Sequence, residues 1–206
     1  MKSHNLNLSI MITTCVDLLE QCGINVVGIT TDQGTNFAKF FRNQNCTPDR
    51  PSITVEGKKI HVIPDVPHLL KSVRNILYGR NKIVVDGGDV KWEYIKQAYD
   101  ISVLARHNMI RKVSRRHIYL PKFGGKMKVK LASQVLSHSM AIAILVFIDL
   151  KIFPEEAIAT ADFCEDMNSL FDIMKSSKKL SSHPYKSALK LNSPHFEKLN
   201  KYSLGK

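Results

Sequence analysis

Closely spaced cysteines are absent from this chain of 206 residues. Its four cysteines, Cys15, Cys22, Cys46 and Cys164, form no C-x-x-C pair. Without close Cys and His spacing, a structural zinc site is not expected. The opening residues also lack the pattern of a signal peptide. We therefore expect reduced thiols and a cytosolic or nuclear protein.

A long uninterrupted apolar run is also missing. Residues 131–148 carry no charge, but the first half of this stretch is rich in serine and contains Gln134 and His138. A membrane-spanning helix needs about twenty predominantly apolar residues. The stretch therefore predicts a buried helix, and no membrane partner is expected.

No phosphate-binding loop of the G-x-x-x-x-G-K-[ST] type is present, and no internal repeat is visible. The short run Gly124-Gly125-Lys126 predicts only a turn with a basic neighbour. A nucleotide site therefore does not follow from motif spacing.

Acidic residues are scarce in one part of the chain. Residues 71–130 contain fifteen Lys or Arg and only four Asp or Glu, a net charge of +11 out of +12 for the whole protein. Such clustering is typical of a protein with a phosphate-bearing partner. The alternative is a solvated basic face without a partner.

The pattern of secondary structure changes near Gly79. Before it, the apolar spacing predicts helices and strands in alternation: a helix over 7–22 capped by Gly23, a strand over 24–31, a helix from 36 to 41, strands over 52–55 and 59–63, and a helix beginning at Pro67.

After Gly79 the predicted elements are a short strand at 82–85 and helices over 89–105, 127–150 and 154–175. We therefore predict domains at 1–79 and 80–190, and a loose tail at 191–206.

The helix that begins at Pro67 should bury one face. Apolar residues at three- and four-residue intervals predict which side chains are buried: Leu69, Leu70, Val73, Ile76 and Leu77.

Two apolar runs end in an acidic residue. Asp32 follows the run over 24–31, and Asp65 follows the run over 59–63. A parallel α/β sheet places functional carboxylates at the carboxyl ends of its strands. The pair therefore suggests a metal-dependent enzyme acting on nucleic acid. The alternative for Asp32 is a helix cap or turn residue, a role that Asp favours.

Two strings around these acids resemble a known family. Residues 31–36 (T-D-Q-G-T-N) and 65–75 (D-V-P-H-L-L-K-S-V-R-N) resemble the core of P-element-type transposases, including the THAP-domain-containing relatives. Residues 126–137 and 168–172 are similar to the next segment of that family. The resemblance covers roughly residues 20–190, and its second string is the more specific one.

The resemblance implies an α/β partial RNase H-like core followed by a mainly α-helical insertion domain that binds GTP. Such enzymes hold two divalent metals, here expected to be Mg²⁺, with three acidic residues for phosphodiester transfer. Asp32 would be the second catalytic acid and a metal ligand, and Asp65 is a further candidate ligand. The other two acids of the triad are not recognised in this chain. We therefore expect a transposase fragment that is not catalytically competent alone.

The resemblance also implies three residues of the GTP site. Lys112 would lie near the phosphates, Val129 near the base, and Asp172 would accept hydrogen bonds from the guanine edge. The simpler alternatives are a surface lysine, a core valine and a helix-surface charge. Lys175 stands where the family tends to have Asn, a departure that bears on nucleotide selectivity.

The basic residues of the middle segment could instead contact DNA phosphates, which gives salt-dependent and sequence-independent affinity. The candidates are Arg106, Arg111, Arg115, Arg116, Lys126, Lys128 and Lys130. An alternative to the transposase fragment is therefore a non-catalytic module that binds guanine nucleotide or nucleic acid. The family further implies a nuclear location and, for the intact protein, a homo-oligomer.

Overall fold

A computed structural model describes residues 3–105, 109–121, 124–176, 181, 184–190, 193–196 and 199. The chain forms two compact units, Met1–Leu69 and Leu70–Lys206. The division between the units falls within a single helix, Val66–Arg80.

The first unit combines helices with a small mixed sheet. Its elements are α1 (Ser3–Gln21), β1 (Gly28–Thr31), α2 (Thr35–Asn43), β2 (Ser52–Val55), β3 (Lys58–Pro64) and the beginning of α3 (Val66–Arg80). The strand order is β1-β3-β2, with β1 parallel and β2 antiparallel to β3. Glu56 and Gly57 close the β2–β3 hairpin with positive φ angles of 48° and 78°, the conformation that a tight hairpin turn requires.

A small apolar core holds this unit together. Val16 of α1, Phe40 of α2 and Ile60 of β3 are all at most 5% exposed, and Ile53 and Val55 of β2 complete the cluster. The predicted elements of this unit are confirmed, although the first helix begins at Ser3 rather than at residue 7 and the first strand begins at Gly28 rather than at residue 24.

The second unit is mainly helical. Its elements after α3 are β4 (Lys82–Val85), β5 (Gly88–Lys91), α4 (Trp92–Leu104), α5 (Arg115–Ile118), α6 (Val129–Val135), α7 (His138–Asp149) and α8 (Ile158–Met174). Three short 3-10 turns cover Gly125–Met127, Glu155–Ala157 and Pro184–Lys186. Helices α7 and α8 pack against each other and carry much of the core.

The apolar stretch predicted to be a buried helix supplies this core. Met140, Ala143 and Ile144 of α7 are fully buried. The stretch Val129–Asp149 is long and apolar enough to cross a membrane, but 56% of its most apolar window is buried inside the protein. That degree of burial is typical of the core helix of a folded domain.

The prediction of one helix over 127–150 was wrong. The chain breaks between α6 and α7, where Ser137 has extended backbone angles (φ −138°, ψ 156°). Ser137 Oγ accepts a hydrogen bond from the Met140 backbone N–H at 3.4 Å, so a new helix begins there. Apolar periodicity continues across the break, which hid it in the sequence.

The prediction of a helix from Asp89 was also wrong at its start. Residues Gly88–Lys91 pair with Lys82–Val85 in an antiparallel hairpin, and the helix begins at Trp92. The backbone N–H of Lys91 donates to Thr160 Oγ1 at 3.0 Å. This long-range contact ties the strand to α8 and could not be read from local sequence.

Helix α3 buries most of the predicted face: Leu70 and Leu77 are buried, and Leu69 and Val73 are half-buried. Two positions differ from the prediction, because Arg74 is buried and Ile76 is 48% exposed. The buried positions follow helical spacing, but one of them carries a charge. The guanidinium of Arg74 donates through Nη2 to the carbonyl oxygens of Gly125 at 3.3 Å and Lys126 at 3.4 Å.

Candidate functional site

The two strand-end acids lie at the same edge of the small sheet. In the parallel β1–β3 pair, Thr31 is opposite Pro64, and Asp32 and Asp65 come directly after these two residues. The Asp65 backbone N–H donates to the Thr31 carbonyl oxygen at 2.8 Å, which extends the ladder to this point. The parallel register therefore brings both acids to the carboxyl ends of neighbouring strands.

Each acid also has a local structural role. Asp32 Oδ1 accepts a hydrogen bond from the Gly34 backbone N–H at 2.9 Å, a turn-forming contact. The Asp65 carbonyl oxygen accepts from the Leu69 N–H at 2.9 Å at the start of α3. The described residues contain no group of three or more His, Cys, Asp or Glu side chains placed to hold a metal. The assignment of Asp32 and Asp65 as metal ligands therefore stays a prediction.

A cavity of about 610 Å³ opens in the second unit. It is lined by the segment before α5, by α6, by the beginning of α7, by α8 and by the Pro184–Lys186 turn. Lys112 and Asp172, which are far apart in sequence, both line it. Val129 is half-buried at the start of α6 and is not among the lining residues.

Asp172 lies in the last turns of α8 and forms part of the cavity wall. Its side chain is 17% exposed, and Lys186 Nζ lies 3.5 Å from its Oδ2. The neighbouring Phe171 also lines the cavity, and Lys175 Nζ lies 5.5 Å from the centroid of that ring. The cavity therefore has an acidic and aromatic part contributed by α8.

Two lysines lie in a wall that separates this cavity from a second, adjoining cavity. Lys112 and Lys130 line both the 610 Å³ cavity and an adjoining cavity of about 370 Å³, which also contains Arg116 and Lys128. No acidic side chain lines the smaller cavity among the residues that the structure describes. Closely placed ammonium groups of this kind favour a phosphate-bearing ligand.

Gln134 belongs to the same shared wall, and a buried histidine orients it. His117 Nδ1 accepts from the Ser114 backbone N–H at 2.9 Å, so the proton of the neutral ring is on Nε2. His117 Nε2 then donates to Gln134 Oε1 at 2.8 Å. This hydrogen bond fixes the Gln134 amide within the shared wall.

The beginning of α7 also lines the larger cavity. Ser137, His138 and Ser139 contribute side chains there, and Ser137 is the N-cap residue. A helix N-terminus presents unpaired backbone N–H groups and a partial positive charge, both of which favour anions. The sequence interpretation missed Gln134 and Ser137, although a Ser before an apolar helix is a signal for a cap.

The proposed DNA-contacting cations are exposed where the structure describes them. The exposed side chains are those of Arg111, Arg115, Arg116, Lys126, Lys128 and Lys130. The Arg115 guanidinium lies over the Tyr119 ring, 5.4 Å from its centroid. Arg106 lies outside the described residues. These side chains are therefore available to a partner.

Comparison with known proteins identifies the family. Residues 67–188, more than half of the chain, match the family model described as "TNP-like, GTP-binding insertion domain". The chain is also 31% identical over 175 residues to the transposable element P transposase of Drosophila melanogaster. The chain belongs to the P-element-type transposase family. The aligned region covers 81% of this chain and 23% of that transposase.

A solved relative within the P-element-type family shares the fold. The structure described as the Drosophila P element transposase strand transfer complex matches with a TM-score of 0.82 at 27% identity. The match covers 94% of this chain and 45% of that one. The chain thus spans less than half the length of these relatives. The family segment, residues 67–188, contains every lining residue of the larger cavity.

Proposed function

We propose that this chain is a segment of a P-element-type transposase whose second unit binds GTP in the 610 Å³ cavity. One observation carries the proposal: the segment that matches a GTP-binding domain family contains a cavity that brings Lys112 and Asp172 together. The volume is within the range of about 300–1,000 Å³ that is usual for small-molecule sites.

The lining chemistry supports a guanine nucleotide. The Asp172 carboxylate can accept hydrogen bonds from guanine N1–H and the N2 amino group, and its low exposure strengthens such bonds. Phe171 offers an apolar ring beside it for the face of the base. Lys112, Lys130 and the N-terminus of α7 supply positive charge for the phosphates.

The phosphate end of this proposal predicts a selective loss. Replacing Lys112 and Lys130 together with Ala should lower GTP affinity about 100-fold but leave guanosine affinity nearly unchanged. Both lysines are exposed, so each contact is assigned about 1.5 kcal/mol, the lower end of the range for charge-assisted hydrogen bonds. Fluorescence competition with GTP, GMP and guanosine measures this. The matched control replaces the exposed Lys39 and Lys59 of the first unit. An equal loss for guanosine would contradict the assignment of these lysines to the phosphates.

We further propose that the first unit is part of an RNase H-like core. The parallel β1–β3 pair with Asp32 and Asp65 at its end supports this placement. A two-magnesium centre needs more ligands than these two carboxylates, and the described residues supply no third acid beside them. The residues present do not fit a complete Mg²⁺ centre, so no step of strand cleavage or transfer is assigned to this chain.

The exposed cations favour DNA as a second ligand, consistent with the strand transfer complex of the solved relative. Replacing Lys126 and Lys128 with Ala should weaken DNA binding for all sequences alike. The slope of log K against log salt should fall in magnitude by about one per lysine. Filter binding between 50 and 200 mM salt, about the range over which such contacts respond, measures the slope. An unchanged slope would remove this segment from the DNA interface.

A further inference from the structure

The carboxylate proposed to read the base has a cation beside it. Lys186 Nζ lies 3.5 Å from Asp172 Oδ2, and both side chains line the 610 Å³ cavity. The Asp172 side chain is 17% exposed, whereas the Lys186 side chain is 50% exposed. The carboxylate is therefore part of the wall, while the ammonium group lies nearer to solvent and can adjust to a ligand.

The backbone that carries Lys186 is anchored. The Pro184–Lys186 turn packs against α8, the helix that carries Asp172. The adjacent Tyr185 ring packs edge-to-face on the ring of His195, with centroids 5.9 Å apart, and His195 is 1% exposed. These contacts hold the described turn that carries Lys186 against α8.

The pair presents a defined order of hydrogen-bonding groups. An ammonium donor next to the two oxygens of a carboxylate gives the order donor, acceptor, acceptor. Cytosine presents the same order to guanine through its N4 amino group, N3 and O2. The complementary edge of guanine offers O6 as an acceptor, followed by the N1–H and N2 amino donors.

We propose that Lys186 donates to O6 of the guanine base while Asp172 accepts from N1–H and the N2 amino group. The inference rests on the proposed function, because it requires GTP in this cavity. It assigns base selection to two side chains acting together. Adenine presents an amino donor to Lys186 and a lone pair to Asp172, so both contacts become repulsive.

Two nucleotide analogues separate the two contacts. In 6-thio-GTP a sulfur that accepts hydrogen bonds weakly replaces O6, while N1–H and the amino group remain. ITP retains O6 and N1–H but lacks the N2 amino group. Lys186→Met should lower GTP affinity about tenfold, the effect of losing one charge-assisted hydrogen bond. The preference for GTP over 6-thio-GTP should disappear, and the preference for GTP over ITP should remain.

Matched variants serve as controls for the loss of the ammonium group. Lys186→Arg retains a donor and should keep the preference for GTP over 6-thio-GTP, and Lys190→Met, on the same segment and exposed, should behave like the wild type. Equal thermal midpoints exclude a folding defect. If Lys186→Met binds GTP as tightly as the wild type or more tightly, Lys186 does not read O6 and merely covers Asp172. If the wild-type chain binds no GTP, the proposed function itself fails.

Discussion

Asp172→Asn is expected to reverse the base preference of the chain. The carboxamide keeps one acceptor for N1–H but turns an N–H donor toward the N2 amino group of guanine. One charge-assisted bond is lost and a donor-donor contact replaces it, at a cost of about 3 kcal/mol or roughly 100-fold in GTP affinity. XTP, which carries a carbonyl at C2, should bind the variant better than GTP. Calorimetric titration of both nucleotides measures the reversal.

The matched control for this change is Asp162→Asn. Asp162 lies on the same helix, α8, but is exposed and is not among the lining residues of the cavity. This variant should bind GTP like the wild type. If Asp172→Asn binds GTP within about twofold of the wild type, Asp172 does not contact the base, and the position proposed for the base in the cavity is wrong.

Arg74→Ala is expected to lower the free energy of unfolding by about 3 kcal/mol. Arg74 is fully buried, and the change removes the donor of the Gly125 carbonyl oxygen and opens a cavity. The Lys126 carbonyl oxygen loses one of two donors and keeps its hydrogen bond from Asn75 Nδ2 at 3.1 Å. The change also has a stabilising effect, because it removes a charged group that is costly to bury. Burial lowers the pKa of the guanidinium, and its Nη1 has no hydrogen-bond partner among the described residues. We expect the lost bonds and volume to exceed the desolvation that is relieved.

Arg74→Met separates these two effects. It fills most of the volume and removes the charge, so it should cost about 1 kcal/mol through the lost hydrogen bonds alone. Urea unfolding followed by the fluorescence of Trp92 measures both variants. Trp92 is the single tryptophan of the chain, is 4% exposed, and reports on the second unit. Arg80→Ala, at the exposed end of the same helix, should change stability by less than about 0.5 kcal/mol. A more stable Arg74→Met would show that desolvation dominates.

The strand-end acids illustrate what local sequence can predict. An apolar run followed by Asp occurs twice, and the parallel register of β1 and β3 places Asp32 and Asp65 at one edge as expected. The prediction succeeded because the spacing of apolar residues in a strand and the polar residue that ends it are both local features of the sequence. Whether these acids bind metal depends on groups outside the pattern and stays a prediction.

The burial of Arg74 could not be predicted from the apolar pattern. A charged residue on an apolar helix face is normally exposed, and a buried guanidinium needs partners that only the tertiary structure supplies. Those partners are backbone carbonyl groups of the Gly125–Met127 turn, 51 and 52 residues away along the chain. The exposure of Ile76 follows from the same packing.

The candidate nucleotide site combines both kinds of information. Lys112 and Asp172 were assigned through family resemblance, since no phosphate-binding loop is present, and the structure places both at one cavity. The sequence does not point to Lys186 or Gln134, because their proposed roles depend on contacts with Asp172 and His117, which are distant in sequence. Arg106 lies outside the described residues.

The most direct test of the central claim is calorimetric titration of the purified 206-residue chain with GTP and with ATP. A guanine-selective site in the second unit predicts saturable heat for one GTP per chain and none for ATP at the same concentrations. Absence of heat with GTP, or equal affinity for both nucleotides, would contradict it.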